Sequence, residues 1–494
     1  MSRLAFVAIL VVAALLRLVG LGRMSFWMDE GFTVVVATAP WSQLGSTAVG
    51  LEKHPIGSYV FAKLGLLVLN GEWGLRWPAA LFGILTVAAF YPLAREILDR
   101  DDASCVKPLA ATGLCSVLAI LVLANRDARS YSPAILGITI ATLAWSLALR
   151  CPAQQRTRFW GIWVVAGLGA VYCHYFAFVV LGLQWLTAVV VQPRILAWWL
   201  TLPAVAVAYL PALPRLLFQA AVPVRGHPEP GWHDLFDVFF AQTVGFTLNF
   251  SSLWMWYGLA GCGLVGALAG SMKAGPLRQV GIVYWGFVAI ILGFPVRMPL
   301  SLFEMKYFVL VSPLFVLLVT EAIFSVPWRS VRWTAWVALV ALNLTSALNA
   351  ICFSEWHRQD FRGAVEVVVK NARPGDVMVL EPDWLEPVVR YYLGARANDL
   401  NLLPISPADS LKFDTSGWTP EHRVWVLRAA LASPASQVLP QLSLTRRPLL
   451  HWTSHRRAPL LQVDLFMYSE ANAKVTPASS KGGATGSGRR PEEG

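Results

Sequence analysis

Asp29 and Glu30 stand side by side in Arg23-Met-Ser-Phe-Trp-Met-Asp-Glu-Gly-Phe32, just beyond the first apolar run of the chain. A carboxylate so placed can take a proton from an attacking hydroxyl, and a pair of acids can hold a divalent cation beside a phosphate. An aspartate near its reference pKa of about 3.9 is a poor base for a free alcohol, so it has to act in concert with bond formation. Basic and imidazole groups recur at His54, in Asp127-Ala-Arg129 and at Lys306. Cations of this kind stabilise a phosphate leaving group. Plainer readings stand beside these. Asp-Glu after a helix suits a solvated loop or a cap, and Asp127 and Arg129 can pair with each other at a surface. His54 before Pro55 suits a turn, Lys306 can snorkel at a helix end, and His174 suits a hydrogen-bonded helix position.

The elements that position these groups belong to a bilayer. Of 494 residues, 56% are hydrophobic and 14% charged, where about 25% charged is ordinary for a soluble chain. Apolar runs recur from Leu4 to about Phe353, and roughly 20 such residues cross the hydrocarbon core as a helix. Backbone groups in lipid must be satisfied internally, which favours helices, and the unbroken Leu/Val/Ala runs do not alternate as barrel strands do. The surplus of 40 Lys+Arg over 29 Asp+Glu lies in short clusters between the runs. That pattern follows the positive-inside rule and does not point to nucleic acid. None of the six cysteines falls in a C-x-x-C pair, which predicts neither a disulfide framework nor a zinc site.

The run Leu4 to Leu21 is too long for a signal peptide and lacks a cleavage site before Asp29, so it reads as a first span with its N-terminus in the cytoplasm. Arg17 within it either snorkels to the outer end or points into the bundle. The segment from Arg23 to about Arg76 then begins outside, and it carries Glu52 and Lys53 besides Asp29, Glu30 and His54. Ile56 to Asn70 is too short to cross and reads as an amphipathic surface helix. Further runs near 75–94, 108–124, 131–149, 159–173, 174–191, 195–217, 251–270, 280–296, 303–324 and 333–352 keep Arg95, Arg150, Arg194, Lys273 and Arg329 inside. The total is about eleven spans, which places the C-terminus outside. The first loop, the Asn125–Ser130 loop and a loop of roughly 218–250 share the outer face.

Composition changes after the membrane part, residues 1–353. Over 354–470 helical stretches at 361–371 and 385–393 alternate with short apolar strands at 377–380, 423–427 and 465–468, which predicts a small extracytoplasmic α/β domain. Residues 471–494 are rich in Gly, Ser, Lys and Arg without apolar spacing. That composition predicts a disordered tail.

Leu15-Leu-Arg-Leu-Val-Gly-Leu-Gly-Arg-Met-Ser-Phe-Trp-Met-Asp-Glu30 resembles the opening of the bacterial protein-mannosyltransferase-like glycosyltransferases of the GT-C fold, the group that includes lipid A aminoarabinose transferases and rhizobial lipopolysaccharide sugar transferases. Three later blocks extend the resemblance in order. His54-Pro-Ile-Gly-Ser-Tyr59 with Glu72-Trp-Gly-Leu-Arg-Trp-Pro78 resembles a His-Pro-Pro surface helix and an Arg-x-Pro start of the next span. Asp127-Ala-Arg-Ser-Tyr131 resembles a Glu-Ala-Arg-x-Tyr loop, and Lys306-Tyr307 with Pro313 a late Arg-Tyr helix. Departures are Ile56 for the second proline, Asp127 for Glu and Lys306 for Arg. Lysine supplies charge without the planar fork of arginine.

The resemblance implies an α-helical polytopic membrane protein with the GT-C fold, acting as an inverting transferase. The donor is a polyprenyl-phosphate sugar, and the acceptor a glycan, lipid or protein at the outer face of the bacterial inner membrane. Asp29 is then the general base or a metal-holding acid, Glu30 its orienting partner and Asp127 a second acid facing the same cavity. Arg129, His54 and Lys306 are the candidates for the lipid phosphate. The resemblance fixes no cofactor and leaves room for a divalent cation held by Asp29 and Asp127. Two other classes stand against this reading. One is a transporter of the lipid-linked sugar, which calls for ionisable residues and broken helices near the midplane. The other is a non-catalytic envelope assembly subunit that works through its outer domain.

Overall fold

The computed structural model describes residues 2–51, 54–99, 105–221, 232–248, 252–293, 305–353, 358–413, 423–429, 436–454 and 462–470. Glu52, Lys53, part of the loop expected over 218–250 and the tail expected to be disordered at 471–494 lie outside them. The chain begins with α1 (Ser2–Leu18), α2 (Met28–Thr38), α3 (Leu44–Leu51), α4 (Gly57–Val68), α5 (Gly71–Leu98), α6 (Val106–Val117) and α7 (Ala119–Ala124). It continues through α8 (Tyr131–Arg150), α9 (Ala153–Val171), α10 (Ala177–Val191), α11 (Leu196–Tyr209), α12 (Leu213–Ala221) and α13 (Trp232–Val244). The membrane part closes with α14 (Leu253–Ser271), α15 (Pro276–Gly293), α16 (Ser312–Phe324) and α17 (Arg329–Cys352).

Among the described residues, 7 helical stretches are long and apolar enough to cross a membrane. Other expected runs form shorter or interrupted helices. The run 108–124 breaks at Leu118 into α6 and α7, whereas the run 195–217 counts among the seven although a 3-10 turn containing Pro211 divides it. Helix α4, 12 residues long, reaches only about 18 Å at 1.5 Å per residue, too short to span. The segment 232–244, read as part of an outer loop, is helical. Its Leu235, Val238 and Phe239 follow helical spacing, and Val238, Phe239, Ala241 and Val244 are buried where α13 meets α14 and α17.

Large apolar side chains stay exposed on the outside of the bundle: Leu4, Val7, Val11 and Leu15 along α1, with Val165, Val190, Leu200 and Val265 elsewhere. Such a surface suits lipid tails. The break at Leu118 frees backbone groups, which other helices satisfy. The Ala119 N–H donates to Asn343 Oδ1 at 3.0 Å. Arg17 donates through Nη1 to the Ser116 carbonyl at 2.9 Å and through Nε to Asn125 Oδ1 at 3.0 Å. Arg17 therefore points into the bundle and does not snorkel.

The C-terminal domain carries α18 (Phe361–Asn371), α19 (Glu386–Leu393), α20 (Val438–Thr445) and a five-stranded sheet of β1 (Val377–Glu381), β2 (Asn401–Pro404), β3 (Val424–Ala429), β4 (Arg446–Thr453) and β5 (Val463–Glu470), in the order β2-β1-β3-β5-β4. The strands β2, β1 and β3 run parallel, and β5 joins β3 and β4 antiparallel. Helix α18 buries Phe361, Ala364, Val365 and Val368, and Asp360 caps it by accepting from the Gly363 N–H at 3.1 Å.

This domain rests directly on α2. A Cβ on Gly31 of α2 would lie 2.6 Å from Val388 Cβ and 3.0 Å from the Val388 backbone in α19. The Tyr392 hydroxyl accepts from the Phe26 N–H at 2.6 Å and donates to Glu72 Oε1 at 2.9 Å. Gly31→Ala is expected to loosen this contact by about 1–3 kcal/mol, the usual cost of overpacking. Faster proteolytic release of the C-terminal domain and a lower Tm would show it; unchanged digestion and melting would count against so close a contact.

Candidate active site

The frame of the site is a buried ion pair. Glu30, in the first turn of α2, accepts from Arg76 of α5 through both oxygens, at 2.8 Å from Nε and 2.5 Å from Nη2. Its Oε1 also accepts from the Ala128 N–H at 2.9 Å, which fixes the Asn125–Ser130 loop. Arg76 spends its remaining donors on the carbonyls of Leu21, Met24 and Ser25 at 2.8–3.0 Å. Three separate stretches are thus tied together by fully withdrawn charges. Glu30 turns to Arg76, so it does not reach the Asp29 carboxylate as an orienting partner.

Asp29, one residue earlier, faces the other way. Its Oδ2 lies 3.2 Å from Lys306 Nζ and 3.6 Å from Arg129 Nη2. Arg129 also donates to the Asp29 carbonyl at 2.9 Å and to Thr33 Oγ1 at 3.3 Å. Lys306 belongs to a 3-10 helix, Met305–Val311, that leads into α16. Burial raises the Asp29 pKa, but Lys306 and Arg129 outweigh it and hold the carboxyl below its ordinary value. One acid and two cations therefore meet at one point.

Asp127 takes a different partner. Its Oδ2 lies 2.5 Å from Arg358 Nη2, on the segment that joins the C-terminal domain to the bundle. The Arg358 guanidinium sits 3.9 Å from the centre of the Trp27 ring, and Lys306 Nζ lies 5.8 Å from the same ring. Burial pushes the Asp127 carboxyl up to about 6, against the pull of Arg358 and with the Glu30 carboxylate adding to the rise. His54 joins the cluster through Ser130, whose Oγ is 3.4 Å from His54 Nδ1, and through the His174 ring 5.5 Å away. Burial and then Arg129 keep His54 well below its ordinary pKa, so it is neutral at pH 7. His174 lies in the turn before α10, where its Nδ1 accepts from the Phe176 N–H at 3.2 Å. Burial, with Arg129 and Lys306 nearby, brings it down to about 3.

The acids as placed do not fit a divalent ion. Each faces a cation, and among the described residues no three His, Cys, Asp or Glu side chains converge as metal ligands. Arg358 and Trp27 carried no functional reading in the sequence. Trp27 is adjacent to Met28-Asp29, whereas Arg358 follows a compositional change and has no spacing to mark it. Arg76 was visible only as the arginine two residues before Pro78 at the start of a span.

Arg76→Leu would leave Glu30 buried without its partner and is expected to cost about 3–5 kcal/mol, read as lost folded protein in detergent and a lowered Tm. Glu30→Gln keeps hydrogen-bonding capacity and should lose less; equal losses would argue against the pair as the frame. The value of about 6 for Asp127 exceeds the 3.8 of an ordinary aspartate, so this group favours the fold most at low pH and less as pH rises toward 6. Difference infrared spectra should show one carboxyl taking a proton as pH falls through about 6. Asp127→Asn should remove that band; its persistence would assign it elsewhere.

Comparison with known proteins bears on this arrangement. Residues 53–218 match the family model described as dolichyl-phosphate-mannose-protein mannosyltransferase. That range contains His54, Asp127 and Arg129, while Asp29, Glu30 and Lys306 lie outside it. Apo ArnT from Cupriavidus metallidurans is similar in structure, with a TM-score of 0.58 and 15% identity over 94% of this chain and 98% of that one. The same protein bound to undecaprenyl phosphate gives a TM-score of 0.54 and 13% identity over 93% and 97%. No curated protein matches the chain by sequence. The shared fold makes this chain a multi-pass helical membrane protein of the GT-C fold, and over residues 53–218, about a third of its length, it is similar to the protein mannosyltransferases.

Proposed function

We propose that the chain moves a sugar, with inversion, from a polyprenyl-phosphate donor to a glycan, lipid or protein acceptor at the outer face of the bacterial inner membrane. The observation that carries this is the Asp29 carboxylate held between Lys306 and Arg129. An acceptor hydroxyl near Asp29 attacks the anomeric carbon and gives its proton to Oδ2. The bond to the phosphate oxygen breaks, and the developing charge moves toward Lys306 and Arg129. Attack opposite the leaving phosphate inverts the anomeric centre.

The charges explain how an acid held below its ordinary pKa becomes a base. Burial raises Asp29 and the two cations lower it. A donor phosphate that engages those cations weakens their hold, and the raising effect of burial remains. Binding of donor thus increases the basicity of Asp29. A protein of the same fold is bound to undecaprenyl phosphate, which supports a lipid phosphate as the donor handle here. The clusters at Arg95, Arg150, Arg194 and Lys273 favour a cytoplasmic side opposite the site. The C-terminal domain then lies outside the cytoplasm together with Asp29.

Deleting the gene should remove one class of glycolipid or glycoprotein from mass spectra of the envelope. Wild type should restore it. Asp29→Asn should fail by about two to four orders of magnitude in rate, at normal abundance in the membrane. Restoration by Asp29→Asn would remove Asp29 from the reaction.

A further inference from the structure

Arg358 differs from the other cations of the site in what holds it. Arg129 has a side chain only 4% exposed, whereas Arg358 is 33% exposed and Lys306 35%. Arg358 lies in no helix or strand, just ahead of the cap of α18. Its guanidinium carbon lies over the Trp27 ring while its Nη2 meets Asp127. A planar group supported on one face can turn its donors from one acceptor to another without leaving the ring. The backbone after it is fixed: Arg362 donates to Glu72 Oε1 at 2.9 Å and to the Arg23 carbonyl at 2.5 Å, and its N–H donates to Ser25 Oγ at 3.0 Å. The outer domain therefore holds this one arginine over the membrane site.

We propose that Arg358 is a phosphate-binding residue supplied by the outer domain. Without donor it pairs with Asp127, and with donor it turns its fork to the lipid phosphate beside Lys306. Asp127 is then a competing anion that keeps Arg358 in place until the donor arrives. The outer domain is a component of the site and not an appendage, because its docking sets where Arg358 stands. This rests on the polyprenyl-phosphate reading of the preceding section.

The test is equilibrium binding of radiolabelled undecaprenyl phosphate to the full-length protein in lipid nanodiscs. Arg358→Ala should weaken binding roughly ten- to a hundredfold, the weight of a charge-assisted hydrogen bond. Arg358→Lys, which keeps charge but loses the fork, should fall between. Asp127→Asn should tighten binding, and that gain should vanish in the Asp127→Asn/Arg358→Ala double variant. A purely structural role predicts lowered Tm with unchanged affinity in whatever protein remains folded. Unchanged affinity in Arg358→Ala, or in Arg358→Lys and Asp127→Asn should the alanine variant not accumulate, overturns the proposal. Wild type that fails to bind the probe overturns the donor reading itself, whereas binding that is lost in Arg129→Ala but kept in Arg358→Ala overturns only the role of Arg358.

Discussion

Glu30 and Arg76 are both withdrawn from solvent, a placement that costs several kcal/mol per charge unless each donor and acceptor is met. Here they are met: both Glu30 oxygens take the guanidinium, the Ala128 N–H adds a further bond, and three carbonyls take the other arginine donors. The pair joins the chain after α1, the start of α5 and the loop before α8. Those are the stretches that carry Asp29, Asp127 and Arg129. The distances among Asp29, Asp127 and Arg129 are therefore set by a pair that stands behind them.

Around that frame the acids and cations are arranged in two nearby sets. Asp29 shares Lys306 and Arg129, and Asp127 shares Arg358. Trp27 lies under Lys306 and Arg358 and brings the two sets against one surface. The sets respond differently to burial. At Asp29 the pull of Lys306, Arg129 and Arg358 outweighs it, whereas at Asp127 the pull of Arg358, Arg76 and Arg129 does not, the Glu30 carboxylate working against them. Neighbouring aspartates of identical chemistry thus carry different affinities for a proton, the condition under which acids take distinct roles.

The helical membrane part was legible in the sequence because its signal is long and redundant: a run of apolar residues reports a helix in lipid almost regardless of neighbours. The strands β1, β3 and β5 were legible for a related reason, since each carries a buried apolar run. Edge strands β2 and β4 are largely exposed and offer no such run, and pairing with β1 and β5 defines them. Helix α13 was hidden by Gln242 and Thr243 and by its place between segments rich in turn residues. In the site, motif order marked Asp29, Glu30, His54, Asp127, Arg129 and Lys306, but not which way each side chain turns. Adjacent positions on a helix differ by about 100° in direction, so Asp29 and Glu30 face different partners. Arg358 lies 231 residues from Asp127 and is brought there only by docking of the C-terminal domain.

The interruption at Leu118 bears on how the protein meets its bilayer. Its freed backbone groups bond to Arg17 of α1 and Asn343 of α17, and Asn343 in turn donates to the Thr243 carbonyl of α13 at 2.7 Å. Three other helices thus clamp the bend from which the Asn125–Ser130 loop hangs. An elbow fixed by side chains acts as a depth gauge: the height of the loop is set by protein and not by the thickness of the lipid. Membranes of different thickness would tilt or stretch the outer shell of helices while the loop stays at one level relative to Asp29.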